Sequence, residues 1–425
     1  MKVYCSGIGG IGLSAYASLM RCAGHEVMGS DRSASALTGD LQERGISFTT
    51  DQSGAAIPAD ADLFVYSEAI PADAPERRRA SQLGIRQISY PQALGELSSG
   101  SRVIAVCGTH GKSSTTGMAA RLLLHSGRDP TVVVGTKVKE LEGRNFRPGS
   151  SDVFLLEACE YRNSFHFYNP SIILLTNCDG DHFDYYRTVE DYRQSFIAFI
   201  QKLPSDGVLI THMADPDCRS VAESAGRPIV DADRFPLIEL RTPGEHMRQN
   251  AQLVLALASI LDVPAKQAEA AVSGYAGSWR RLELRGAFNG IPVIDDYAHH
   301  PREIRASLAA VREQYPKSRI VCAFQPHTHD RTIKLYGDFL TAFSAADLLL
   351  ICDVYEARKD IETARVDMDA FIRDVAKGSS VRSLPGGTLS RAEQLLKTDV
   401  LRNGDVLVCM GAGDITDLAT RMVSF

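Results

Sequence analysis

The stretch VIAVCGTHGKSSTTGM, residues 103–118, constrains this chain more than any other part of it. Five apolar or small residues, Val103 to Cys107, read as a buried strand that runs into Gly108, and a helical pattern opens just after Lys112. A strand, a glycine turn and a helix headed by lysine form a phosphate cradle. The turn's backbone N–H groups face outward, the lysine reaches the β- and γ-phosphates, and the next hydroxyl, Ser113, joins a Mg²⁺ shell. Gly108 and Gly111 enclose only Thr109 and His110, whereas the common loop has four residues between its glycines. A plain glycine turn needs neither Lys112 nor the four consecutive hydroxyls Ser113 to Thr116, so the short loop still reads as a nucleotide site.

Around this loop, short apolar runs that stop at small or polar residues alternate with helical patterns, which predicts βα units and parallel sheets. At 425 residues the chain exceeds one core, and the pattern divides in three. The expectation is an α/β protein with a Rossmann-like domain over 1–97, a central P-loop ATPase-type parallel-sheet domain over 98–278 and a C-terminal Rossmann-like domain over 279–425. ALGELSSGSR reads as the first linker, and RQNAQLVLALASIL as the last helix of the central domain. With 44% apolar residues, 23% charged residues and a net charge of −6, the chain has no basic surplus for nucleic acid, so any anionic ligand must be held locally. Nine cysteines without a CxxC pair argue against a disulfide framework or structural zinc. No apolar run approaches 18 residues and MKVYCSGIGGIG carries no leader, so the expectation is a cytoplasmic protein without membrane insertion, monomeric or a homodimer.

Gly7, Gly9 and Gly12 form G-x-G-x-x-G between a strand and a helix, with Asp31 ending the second strand where such folds place a ribose contact. The pattern fits a nucleotide diphosphate or tight strand-to-helix packing. Glu157 closes the strand VFLLE and His182 follows IILLTN, so both should share the edge that carries Lys112. A carboxylate there suits Mg²⁺; the histidine is either a ligand or a satisfied loop residue, and Asp179, Asp181 and Asp184 are either caps or solvated charges. In the third cluster, DDYAHHP and FQPHTHDRT place Asp295, Asp296, Tyr297, His299, His300, His327, His329 and Arg331 beyond strand ends. The adjacent histidines argue against zinc, and an anionic partner explains the arginine better. Arg280 and Arg281 sit at the second domain boundary, as ligand contacts or as solvated charges.

Six motifs in order, GIGGIGLS, GTHGK, EACEYRNSF, TNCDGDHFDYY, DDYAHHP and FQPH followed by RT, resemble the Mur ligases, the ATP-dependent amide-forming enzymes of peptidoglycan precursor synthesis. The likeness is strongest to the branch that adds L-alanine to UDP-N-acetylmuramate. It implies ATP and Mg²⁺, with a short G-T-x-G-K-[ST] loop as the ATP site: Gly108, Thr109, His110, Gly111, Lys112, Ser113 and Ser114. It further implies Ser113, Glu157 and His182 on Mg²⁺, Asn250 at the adenine, and Arg281 and Asp296 toward the nucleotide. Lys112, Glu157, His182 and Arg331 would carry the reaction. Tyr297, His327 and Arg331 would lie near the alanine, and Gly7, Gly9, Gly10, Asp31 and Ser67 would hold the UDP-sugar. The chain departs from the pattern at Met247, where H-N-x-x-N is common, and at Ser113–Ser114, where two threonines are common. A tripeptide-recycling ligase, a catalytically weak sugar-nucleotide-binding homologue and a nicotinamide-dependent dehydrogenase built on Gly7 to Gly12 are the competing readings. The dehydrogenase leaves the second phosphate loop without a role.

Overall fold

The computed structural model describes residues 1–182, 185–356 and 364–423. The first sheet is built from β1 (Lys2–Ser6), β2 (Glu26–Ser30), β3 (Ser47–Thr49), β4 (Leu63–Tyr66) and β5 (Arg86–Ser89). Its order is β3-β2-β1-β4-β5 and every pairing is parallel. All five strands therefore end on one edge, where Gly7 opens the turn into helix Ile11–Cys22. The N-cap of that helix, Gly10, supplies no side-chain cap, so the first-turn amides face the glycine loop.

The second sheet comprises β6 (Arg102–Cys107), β7 (Thr131–Val138), β8 (Arg144–Arg147), β9 (Val153–Glu157), β10 (Ile172–Leu175), β11 (Val208–Thr211) and β12 (Ile229–Asp231). In the order β12-β11-β10-β6-β9-β7-β8, only β8 runs antiparallel. β6 lies between β10 and β9, so the residues that follow those two strands flank the loop after β6 on either side. That placement follows from topology and decides which side chains can reach Lys112.

The segment read as a first linker is partly helix, Tyr90–Leu97, with Ser89 accepting from the Gln92 amide and Pro91 in the first turn. Its apolar residues explain the difference. Leu94 packs in the same core as Ala15, Leu19, Val103 and Phe165, while Ala93 packs with Val3 and Leu13, so the segment is buried between the first two sheets. The helix Glu245–Ile260 is likewise not the last of its region, because Ala265–Ser273 follows.

The third sheet holds β13 (Glu283–Phe288), β14 (Ile291–Asp296), β15 (Arg319–Phe324), β16 (Leu348–Cys352), β17 (Arg382–Gly387) and β18 (Asp405–Met410), ordered β13-β14-β18-β15-β16-β17 with β13 antiparallel. Two compact units result. One holds Met1–Ile238 with Asn250–Tyr275, and the other Glu239–Gln249 with Ala276–Phe425. The nine cysteines are all free thiols, and among the described residues no helix is long and apolar enough to cross a membrane.

Candidate active site

The loop after β6 is shaped by two glycines and braced by the segment after β10. Gly108 has φ +134°, and a Cβ there would stand 2.1 Å from Thr176 Oγ1; Gly111 has φ +80°, and a Cβ there would stand 2.7 Å from Asn250 Oδ1. Only glycine fits both constraints. The His110 amide donates to Asn177 Oδ1 at 2.8 Å, the Asp179 amide donates to Thr109 Oγ1 at 3.0 Å, and Thr109 Oγ1 meets Tyr192 OH at 2.9 Å. His110 Nε2 lies 3.3 Å from Asp179 Oδ2. Ser113, Ser114, Thr115 and Thr116 are buried in the first turn of helix Lys112–His125, with Thr116 Oγ1 donating back to the Lys112 carbonyl.

Lys112 heads that helix and folds over its own loop. Its Nζ donates to the carbonyls of Gly108 at 2.6 Å and Thr109 at 3.1 Å, and lies 2.9 Å from Glu160 Oε2. Burial works against the lysine's charge, but the Glu160 carboxylate outweighs it and moves its pKa upward. Glu160 is fully buried; burial alone would raise its pKa, and Lys112 and His182 together hold it below the ordinary value. His182 Nε2 lies 3.4 Å from Glu160 Oε1, and its ring stands 4.8 Å from the Tyr161 ring.

Glu157 and Glu160 therefore have different surroundings. Glu157, at the end of β9 beside the loop, accepts the Gly135 amide on Oε2 at 2.8 Å. Glu160 is the carboxylate between Lys112 and His182, and the strand-end rule does not find it because it lies three residues past β9. A second glutamate in EACE was the available signal. Tyr186 OH donates to the Glu160 carbonyl at 2.5 Å and Tyr192 OH to its Oε1 at 3.4 Å, so the aromatic residues of TNCDGDHFDYY and the following helix Val189–Ile200 support it. Asp181 is buried and its Oδ1 accepts the His182 amide at 2.7 Å, while Asp184 lies outside the described residues.

In the first sheet, Asp31 reaches back to the glycine loop, its Oδ2 accepting the Gly9 amide at 2.9 Å. The loop amide is tied down by the carboxylate, and Ser67 packs directly on Gly7, where an added Cβ would come within 2.9 Å of the serine Cβ.

In the C-terminal unit, Asp296 ends β14 and is buried. Its oxygens accept the amides of Leu282 at 2.7 Å and Ala298 at 2.8 Å and the Ser307 hydroxyl at 3.1 Å. Burial pushes its pKa up to about 6 against the pull of Arg281 and those amides. Arg280 and Arg281 separate cleanly. Arg280 is buried, donates to the carbonyls of Gly411 and Gly413 and pairs with Asp295 at 3.4 Å, so it serves the fold. Arg281 is half-buried, stands 5.2 Å over the Tyr297 ring and lies 3.5 Å from Glu303. His299 and His300 start helix Pro301–Gln314, His300 Nδ1 accepting the Arg302 amide and Glu303 closing a capping box. The rings of Tyr297, His299, His327 and Tyr355 follow one another at 5.4, 5.7 and 5.7 Å. Arg331 Nη1 donates to His327 Nδ1 at 3.0 Å, which fixes the imidazole proton on Nε2. His329 Nδ1 accepts the Val366 amide at 3.3 Å. Among the described residues no group of three or more histidine, cysteine or acidic side chains forms a metal cage.

Three family models match the chain in order: Mur ligase family, catalytic domain, over residues 2–102; Mur ligase middle domain, over 106–237; and Mur ligase, glutamate ligase domain, over 280–413. A UDP-N-acetylmuramate–L-alanine ligase of Clostridium novyi is 35% identical over 97% of this chain and 95% of its own length. The corresponding ligase of Lachnospira eligens is 35% identical over 98% and 96%. Among solved structures, the UDP-N-acetylmuramate–alanine ligase of Thermotoga maritima superposes with a TM-score of 0.82 at 28% identity, covering 100% of this chain and 98% of that one. A murein peptide ligase of Psychrobacter arcticus shares the fold, with a TM-score of 0.73 at 23% identity over 100% and 98%.

Proposed function

The chain belongs to the Mur ligase family, and on that premise we propose that it is an ATP-dependent ligase joining L-alanine to UDP-N-acetylmuramate in peptidoglycan precursor synthesis. The observation that carries this reading is the cluster of Lys112, Glu160 and His182 beside the short glycine loop, in a chain alike end to end to alanine-adding ligases. We assign 1–97 to the UDP-sugar, 98–278 to ATP and 279–425 to the amino acid.

A carboxylate is a poor electrophile at neutral pH. One oxygen of the muramyl carboxylate attacks the γ-phosphorus, ADP leaves, and the resulting acyl phosphate accepts the alanine amine at its carbonyl carbon. The tetrahedral adduct expels phosphate, the amine proton goes to solvent or a nearby base, and the amide remains. Lys112 neutralises the charge that develops on the transferred phosphoryl group, exchanging its loop carbonyls for phosphate oxygens while Glu160 holds it in place. The Glu157 carboxylate and the Ser113 hydroxyl would offer the hard oxygen donors Mg²⁺ takes, and His182 would add a nitrogen. Among the described residues these side chains form no complete cage, so Mg²⁺ would be shared with the nucleotide's phosphates. When bound, Mg²⁺ supplies further charge neutralisation at the phosphates. Asn250, packed on Gly111, and Arg281 and Asp296 in the other unit are assigned to the nucleotide. Gly7, Gly9, Gly10, Asp31 and Ser67 are assigned to the UDP-sugar. Tyr297 and the His327–Arg331 pair are assigned to alanine, since an imidazole Nε2–H and a guanidinium suit its carboxylate.

Phosphate release with ATP, Mg²⁺ and UDP-N-acetylmuramate, measured across amino acids and the tripeptide, tests the assignment. L-Alanine should drive stoichiometric release; release with the tripeptide alone, or none with alanine, overturns it.

A further inference from the structure

The motif EACEYRNSF contains a strained turn that the reaction as described does not use. Arg162 (φ 53°, ψ 30°) and Asn163 (φ 59°, ψ 25°) are two consecutive left-handed residues, neither of them glycine. Such a pair persists only where its surroundings hold it. Asn163 shows how: its Oδ1 accepts from Ser195 Oγ at 2.5 Å and Tyr186 OH at 3.1 Å, its Nδ2 donates to Tyr185 OH at 3.0 Å, and its amide donates to the Glu160 carbonyl at 2.9 Å.

The turn sends Arg162 away from Glu160 toward the first sheet. Arg162 Nη1 donates to the Glu68 carbonyl at 3.1 Å, and its guanidinium stands 5.5 Å from the centre of the Tyr161 ring. Glu68 follows Ser67, the residue that packs on Gly7 of the first glycine loop. Arg162 is exposed, and among the described residues it forms no ion pair. With no anion partner among the described residues, this cation links the segment after β9 to the residue that follows Ser67, and the loop assigned to ATP lies in the same compact unit as the loop assigned to the UDP-sugar. The Gly9 amide in that loop is already taken by Asp31, so a diphosphate there needs positive charge from elsewhere.

We propose that Arg162 binds the diphosphate of the UDP-sugar, making it a substrate-recognition residue that the strained turn aims across from the central sheet. This rests on the ligase reading above and adds a contact to it. A guanidinium fork matches two phosphate oxygens, and a lysine at the same place offers only a point charge.

The test compares UDP with uridine as probes, by calorimetry, on the full chain. Arg162→Asn is the main variant because asparagine tolerates the left-handed conformation, with Arg162→Lys beside it and thermal unfolding as the check on folding. Arg162→Asn should weaken UDP binding about 10- to 100-fold and leave uridine binding unchanged. The lysine variant should recover part of the loss. In turnover, KM for UDP-N-acetylmuramate should rise while KM for ATP holds. Equal losses for UDP and uridine would make Arg162 a pin for the Glu68 turn and overturn the inference, as would unchanged UDP affinity. If either of those results appears while the unaltered chain ligates normally, only the inference falls; if the unaltered chain binds no UDP and forms no amide, the ligase reading falls with it.

Discussion

Lys112 and Glu160 form a buried ion pair whose two partners do different work. Lys112→Ala removes the proposed phosphate contact and should lower ligation about 100- to 1,000-fold, as the loss of one transition-state donor does. It also strands the Glu160 carboxylate, which costs about 3–5 kcal/mol when a buried partner is deleted. The double variant Lys112→Met with Glu160→Gln should therefore recover thermal stability without recovering ligation. Recovery of both would show that the pair only holds the fold. A second pair of residues sets a pH dependence. Asp296, raised to about 6 by burial, stays protonated in the folded chain where the unfolded chain has lost its proton, so its stabilising contribution falls as pH rises from about 4 to 6. His246, lowered to about 4 by burial and then by Arg281, stays neutral where the unfolded chain is protonated, so its contribution rises from about 4 to 6.5. Urea unfolding from pH 4 to 7 should show stability rising more steeply with pH in Asp296→Asn than in the unaltered chain, and rising less steeply or falling in His246→Gln.

At the scale of elements, the loop after β6 is where backbone and function meet. Gly111→Ala places a methyl at φ +80° and 2.7 Å from Asn250, whereas Gly127→Ala takes a similar φ of +76° with nothing within 4 Å. The first should raise KM for ATP and destabilise the chain; the second should cost only the left-handed strain, about 1–2 kcal/mol. Equal effects on ATP would mean that Gly111 serves the turn alone. The sequence made the long apolar strands legible, including β1, β6, β9, β10 and β18, because four to six apolar residues that end in glycine or a polar residue leave few alternatives. It did not reveal β5, β8 or β17, whose sequences RQIS, RNFR and RSLPGG carry no apolar run or clear alternation. The helix Tyr90–Leu97 was missed for a related reason: ELSSG looks like a linker, and Leu94 is buried only because two sheets meet on it. In the candidate site, strand ends point to Lys112, Glu157 and His182, while the positions of Glu160, Asn163, Tyr186 and Tyr192 depend on how the segment after β9 folds back, which no periodicity encodes.

Across the whole molecule, three sheets carry strand ends that we assign to three kinds of group: a nucleotide-sugar, a triphosphate and an amino acid. A net charge of −6 makes general attraction of anionic substrates unfavourable, so the roles proposed for Lys112, Arg162, Arg281 and Arg331 are local ones. Raising the ionic strength should accordingly raise KM for UDP-N-acetylmuramate and ATP, while thermal stability changes little. In the proposed reaction the muramyl carboxylate is activated as an acyl phosphate before alanine attacks. UDP-N-acetylmuramate labelled with ¹⁸O in both carboxylate oxygens, turned over with ATP and L-alanine, tests this by mass spectrometry of the released phosphate. One ¹⁸O should appear in phosphate for each amide formed, since the oxygen that attacks the γ-phosphorus leaves with it. Amide formation with unlabelled phosphate, or phosphate release without amide, would rule out the acyl phosphate.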